Sequence, residues 1–290
     1  MAQGRELFPA DRGLQARMVL ASVLTPLLVL AAAAAVVLLA PAKVIVFFAL
    51  AVAIGVFLAI SSFRSEESSW PLAAHDTPEL HALVERVCAM ADLPKPVIVR
   101  VPERQPNSWI VARPGRPAEL HVTRGLLELL EPAELEAVIA HELAHVANRD
   151  AMVMTVVGGP GTAMLTGGQA LLRGGFMMLP GALIAIGVGF SARVGTSALS
   201  RYRELAADAG AAAVTGRPAT LAAALRKVSG GLSALPTVDL REAAARDAFH
   251  LLAAGDAGRG PLRTHPDVER RIARLEAMER RLHAARLPDI

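Results

Sequence analysis

EPAELEAVIAHELAHVANRD, residues 131–150, reads as one helix with an ionisable constellation on it. Pro132 suits a first helical turn, and the apolar period through Leu135, Val138 and Ile139 carries the helix past His141 to at least Asn148. His141-Glu142-Leu143-Ala144-His145 is the HExxH pattern, which has meaning only on a helix. Four residues advance a helix by about 400°, so both imidazoles lie on one face, about one turn apart, and can share one ion. Tetrahedral zinc accepts such a pair. Glu142 points about 100° away from His141, where a carboxylate can reach a water in the open coordination position without displacing a ligand. The opposing interpretation is a chance match on an exposed helix.

Two histidines hold a catalytic zinc poorly, and no histidine follows His145 at the spacing of an HExxHxxGxxH site. A third ligand must come from elsewhere in the chain, which directs attention to Arg203-Glu204-Leu205-Ala206-Ala207-Asp208. Asp208 falls one turn beyond Glu204 on the same helical face, where it can orient a ligand histidine through the other ring nitrogen. Alone, a glutamate and an aspartate at this spacing form a solvated face. Beside HExxH, Glu204 becomes the candidate ligand.

Outward from these helices the chain is apolar: 53% of its residues are hydrophobic and only 4% aromatic, which leans beyond an ordinary soluble protein. Met18 to Ala40 holds no charge and as a helix rises roughly 34 Å, slightly more than the ~30 Å hydrocarbon core. Val44 to Phe63 follows after Pro41-Ala42-Lys43, so residues 18–63 form a hairpin rather than a cleaved signal peptide, whose apolar run is only about 7 to 15 residues. A second apolar region, Met152 to Leu172 and Gly174 to Ala192, is interrupted only by Arg173. Its glycines and Pro160 allow either another hairpin or a buried, re-entrant segment. The organisation expected is a segment 1–17, a hairpin 18–63, a first catalytic part 64–150, a second hairpin 151–193 and a second catalytic part 194–290.

Within the polar parts, Thr77-Pro78 opens a helix to about Ala91, and Val97–Val101, Ser108–Ala112 and Glu119–Thr123 read as strands. Helix resumes near Leu199 and again from Pro218 to Val228, residues 230–260 are loop-rich, and a last helix opens at Pro266 with the stripe Val268, Ile272, Leu275, Leu282. Cys88, the single cysteine, sits in an amphipathic run and is assigned to core packing. A net charge of +3, with both signs interspersed and no long basic block, excludes nucleic acid as a partner.

PNSWIV (106–111), VTRGLLELLEPAELEAVIAHELAHVANRD (122–150), SRYRELAADAGAA (200–212) and THPDVERRIARL (264–275) together resemble the HtpX-like membrane metalloproteases, relatives of the CAAX prenyl proteases among the gluzincins. The resemblance covers most of residues 18–280. It implies a mainly α, integral membrane protein with a small β-sheet and a zincin-like catalytic domain, with about four transmembrane helices in two hairpins. By resemblance, His141, His145 and Glu204 match the ligands of one Zn²⁺ per chain, Glu142 the catalytic base, and Asp208 the carboxylate behind a ligand. Asn107, Ser108 and Trp109 match a strand against which substrate backbone is laid, with Ser108 and Trp109 in place of the usual Ala and Phe. His265 corresponds to the family's HP segment, as a transition-state contact or as a helix cap. The implied activity is hydrolysis of peptide bonds in misfolded or damaged membrane proteins without ATP, a quality-control and stress-response role. A prenyl-protein protease and an inactive membrane scaffold are the alternatives.

The candidate ligands flank the second apolar region, so they meet only if that region makes zero or two crossings. Arg5, Arg12, Arg17 and Arg64 flank the first hairpin, against Lys43 at its tip, and Arg149, Arg193, Arg201 and Arg203 flank the second. This bias places the site on the cytoplasmic face of a bacterial cell (inner) membrane, with protein or peptide substrates and the lipid bilayer as partners.

Overall fold

The computed structural model describes residues 12–39, 41–64, 71–73, 75–112, 115–233 and 265–286. Helices α1 (Arg12–Leu39) and α2 (Ala42–Arg64) come first, packed less on each other than on the later apolar helices, and α3 (Pro78–Ala91) follows. A mixed three-stranded sheet in the order β1 (Val97–Val101), β3 (Glu119–Thr123), β2 (Ser108–Val111) comes next; β1 runs parallel and β2 antiparallel to β3. The chain continues through a short α4 (Arg124–Leu129), the HExxH helix α5 (Pro132–Ala147), α6 (Asp150–Leu171), α7 (Leu179–Thr215), α8 (Pro218–Ser233) and α9 (Val268–Arg286).

Two separate cores hold this arrangement. In the first, Leu120 and Val122 of β3, Val138 and Ile139 of α5, Leu225 of α8 and Leu275 of α9 are all buried together. In the second, Val29, Phe48, Ala51, Met164, Ala182 and Ala185 join the four apolar helices α1, α2, α6 and α7. Glycine sets the spacing there. A Cβ on Gly167 of α6 would lie 1.6 Å from the Ala51 carbonyl oxygen, and one on Gly55 of α2 would lie 1.7 Å from that of Ala163. The two backbones therefore touch, the packing that small residues permit between helices. Gly167→Leu is expected to destabilise the protein by about 3 kcal/mol, the upper end for overpacking. Gly187→Leu, whose Cβ meets nothing within 4 Å, should leave thermal unfolding in detergent unchanged.

The second apolar region is a hairpin: α6 and α7 return on each other through two short 3-10 turns, Leu172–Gly174 and Phe176–Met178. By length and composition, two helical stretches suffice to cross a membrane, Gln15–Ala35 and Phe176–Thr215, while Ala42–Phe57 is apolar but shorter. The glycine-rich α6 is not a third such stretch among the described residues. Helix does not resume near Leu199; α7 runs unbroken from Leu179 to Thr215, straight across the boundary expected at 193/194. Nothing between Arg193 and Leu199 breaks it, and the glycine there, Gly195, lies against Thr25 of α1. Helix α8 extends to Ser233 where loop was expected from 230; residues 234–264, with His250, and residues 1–11, with Arg5, lie outside the described residues.

Candidate active site

Helix α5 is fixed at its start by the Glu131 amide donating to Glu134 Oε2 at 2.9 Å, with Lys227 of α8 paired to the same oxygen at 2.7 Å. Its apolar face is sunk in the first core, which leaves His141 and Glu142 buried and His145 half-buried on the side turned to α7. From α7 comes Glu204, itself buried. The two Nε2 atoms stand 3.2 Å apart; His145 Nε2 lies 3.5 Å from Glu204 Oε1, and His141 Nε2 lies 3.7 Å from Glu204 Oε2. Tetrahedral ligands at about 2.0 to 2.1 Å from zinc are separated by about 3.3 to 3.4 Å, close to the spacing of the two Nε2 atoms. The imidazoles approach different oxygens of Glu204, and one atom from each of the three residues lies within 4.8 Å of the others, near enough for one ion to gather.

Each imidazole is backed by a carboxylate on its far nitrogen. Asp208 Oδ1 lies 3.0 Å from His141 Nδ1, and Asp150 Oδ2 lies 2.5 Å from His145 Nδ1. With Nδ1–H turned to a carboxylate, Nε2 keeps its lone pair for the shared position. Arg203 of α7 pairs with Asp150, and Arg271 of α9 donates to Asp208 through Nε at 2.9 Å and Nη2 at 2.7 Å while Nη1 sits 3.2 Å from Glu204 Oε2. Four buried carboxylates, Glu142, Asp150, Glu204 and Asp208, thus surround two buried guanidiniums. The carboxylates outnumber the guanidiniums, which favours a cation among them, because isolated buried charge is costly. The donor set and its spacing fit zinc, and these three residues are the metal-capable group among the described residues.

Strand β2 lies at the sheet edge beside this cluster. The Ser108 hydroxyl, fully buried, donates to Glu142 Oε1 at 2.9 Å. Burial raises the Glu142 carboxyl above its ordinary range, against the opposing pull of His141, His145 and that hydrogen bond. Asn107 is committed to the sheet: its amide donates to Thr123 Oγ1 at 2.8 Å, and its Oδ1 accepts the Ser108 amide at 2.9 Å. Trp109 alternates to the opposite face and stacks on His121, with ring centroids 4.9 Å apart, so it is not brought to Glu142. The cleft over the cluster is walled instead by Ile110 and Ala112, with Val146 and Met154 opposite. His265 is brought in, its Nδ1 3.3 Å from Glu204 Oε2, while Asp267 Oδ1 accepts the Glu269 amide at the start of α9.

Sequence alone gives Asp150, Arg203 and Arg271 no role at the site. Arg271 had a signal, because it lies three residues after Val268 and four before Leu275, inside an apolar stripe where a charge needs a partner. Arg203 was counted as a flanking charge, but it is only 3% exposed and paired with Asp150, which removes it from that count. Asp150 had none, since a carboxylate five residues after a histidine is ordinary until the chain is seen to turn back.

Residues 74–279 match the sequence profile of Peptidase family M48. The chain is similar to Protease HtpX homolog 2 of Methanosarcina acetivorans, 40% identical over 79% of this chain and 84% of that one. It is also similar to Protease HtpX homolog of Moorella thermoacetica, 37% identical over 97% of this chain and 100% of that one, and to Protease HtpX homolog 1 of Streptomyces coelicolor, 38% identical over 97% and 98%. Among solved structures, S. mikatae Ste24p superposes with a TM-score of 0.53 at 16% identity, covering 92% of this chain and 67% of that one.

Proposed function

The chain belongs to peptidase family M48, and from that membership we propose a membrane-embedded zinc endopeptidase whose ligands are His141, His145 and Glu204 and whose general base is Glu142. The observation that carries this reading is the convergence of two Nε2 atoms and one carboxylate at 3.2 to 3.7 Å, with Glu142 beside them and outside the ligand set. When bound, the ion supplies Lewis acidity, lowering the pKa of a water and polarising the scissile carbonyl. Glu142 takes the water's proton and hands it to the leaving amine. Substrate backbone adds along β2, the outer strand of the sheet beside the site, the way an extended peptide joins a sheet. Asp208 orients His141, and His265, anchored on Glu204, stands where it can meet the transition state. Purified protein with zinc, tested against casein alongside Glu142→Gln, decides the assignment: equal cleavage by both would sink it.

Ser108 leaves Glu142 one oxygen for the proton and pins the other. Ser108→Ala is expected to lower kcat about tenfold, the scale of about 1.4 kcal/mol for one hydrogen bond to a charged group, with KM unchanged. Steady-state kinetics on one peptide checks this split.

We further place four spans in a bacterial cell membrane with the site facing the cytoplasm. The support is the exposed belt Val19, Leu20, Val23, Leu24, Leu27 and Leu28 on α1, a surface larger than water tolerates, together with the return of α6 on α7. Lipid covers that belt, and misfolded or damaged membrane proteins reach the cleft at the membrane surface. Met177→Cys at the hairpin tip should label only from outside the cell and His75→Cys only after permeabilisation; the reverse pattern inverts the topology. The likeness to Ste24p, at 16% identity, supports the fold and not a prenylated substrate.

A further inference from the structure

Between α5 and α6 the chain turns within two residues. Asn148 ends the first helix, Arg149 takes the left-handed conformation (φ 54°, ψ 41°), and Asp150 is already the first residue of α6. A non-glycine residue in that region is uncommon and is held there by its surroundings. What it achieves is a reversal: the Asp150 carboxylate, buried, faces back onto the last turn of α5 and meets His145 Nδ1 at 2.5 Å. Its other oxygen is held by Arg203, also buried, one residue before Glu204 on α7.

We propose that Asp150 and Arg203 are positioning residues for the metal site, forming a buried relay, Arg203 to Asp150 to His145, that fixes the His145 ring so that its Nε2 faces the ion. The relay ties the two apolar helices to the ligand set: Asp150 opens α6, Arg203 rides on α7, and His145 stands in the last turn of α5. Arg203 acts only through Asp150. This rests on the reading of His141, His145 and Glu204 as ligands, and the experiment separates the two.

The test is the zinc dissociation constant of the full chain in detergent, measured by competition with a chelator of known affinity. Asp150→Asn, close in shape, and Asp150→Ala are expected to weaken zinc about 10- to 100-fold, the usual effect of losing the partner behind a ligand histidine. Arg203→Gln should weaken it about tenfold, at the lower end of that range. The double variant Asp150→Asn/Arg203→Gln should be no weaker than Asp150→Asn alone, because both act on one ring. Glu85→Gln, in an exposed pair with Lys95, serves as the control. Helical circular dichroism and the zinc-dependent rise in Tm show whether each variant is folded and still responds to metal. Asp150 variants that hold zinc as tightly as the wild type, or single effects that simply add in the double variant, overturn the relay while leaving the ligands standing. A wild type that binds no zinc, or Glu204→Ala that binds it undiminished, overturns the ligand set and the relay with it.

Discussion

Glu142→Gln should abolish nearly all peptide-bond cleavage, a loss of about 10²- to 10⁴-fold in kcat, the range a general acid-base group supplies. The substitution keeps the side chain's length and its place beside Ser108, whose hydroxyl can still donate to the amide oxygen. What disappears is the ability to accept a proton. Because Glu142 is not among the proposed ligands, zinc content should stay at that of the wild type, and the buried variant should be no less stable, since burial already disfavours the charged carboxylate. Metal analysis and kinetics on one preparation check all three points. A variant that has lost its zinc would show that Glu142 binds the ion rather than working beside it.

Glu204→Ala is expected to remove both zinc and activity. Two imidazoles at 3.2 Å are all that then remain of the proposed ligand set, and neither Asp208 nor Asp150 can substitute, because each faces an Nδ1 on the outer side of its ring. The loss also strands Arg271, whose Nη1 sits 3.2 Å from the Glu204 carboxylate. Breaking one partner of a buried pair costs about 3 to 5 kcal/mol, so a lower Tm is expected together with the metal loss. Glu204→Gln separates the effects: it keeps an oxygen and the shape, so Tm should recover more than zinc affinity does. Recovery of full zinc affinity by the glutamine would point to a neutral ligand and a different charge balance.

The catalytic helix was legible because its residues are local: HExxH, Pro132 and the apolar period lie within one stretch. The three strands were legible from their short apolar runs, though not that β2 would be the edge or that β1 and β3 would pair in parallel. Glu204 could be found only as the missing partner of a recognised pair. The partners behind the ligands were harder, because Asp150 depends on one left-handed residue and Arg271 on the docking of α9, contacts made across more than sixty positions in the case of Arg271 and Asp208. Trp109 shows the limit in the other direction: alternation along β2 sends it to the face of His121, and a name in a motif does not say which way a side chain points.

The components of the centre are strewn from Ser108 to Arg271, with the second apolar hairpin threaded between the imidazoles and the carboxylate. A nascent chain emerging from the ribosome therefore owns two histidines long before it owns a grip on any ion. The proposed centre can be complete only once the second apolar hairpin has folded back and the last helix has docked.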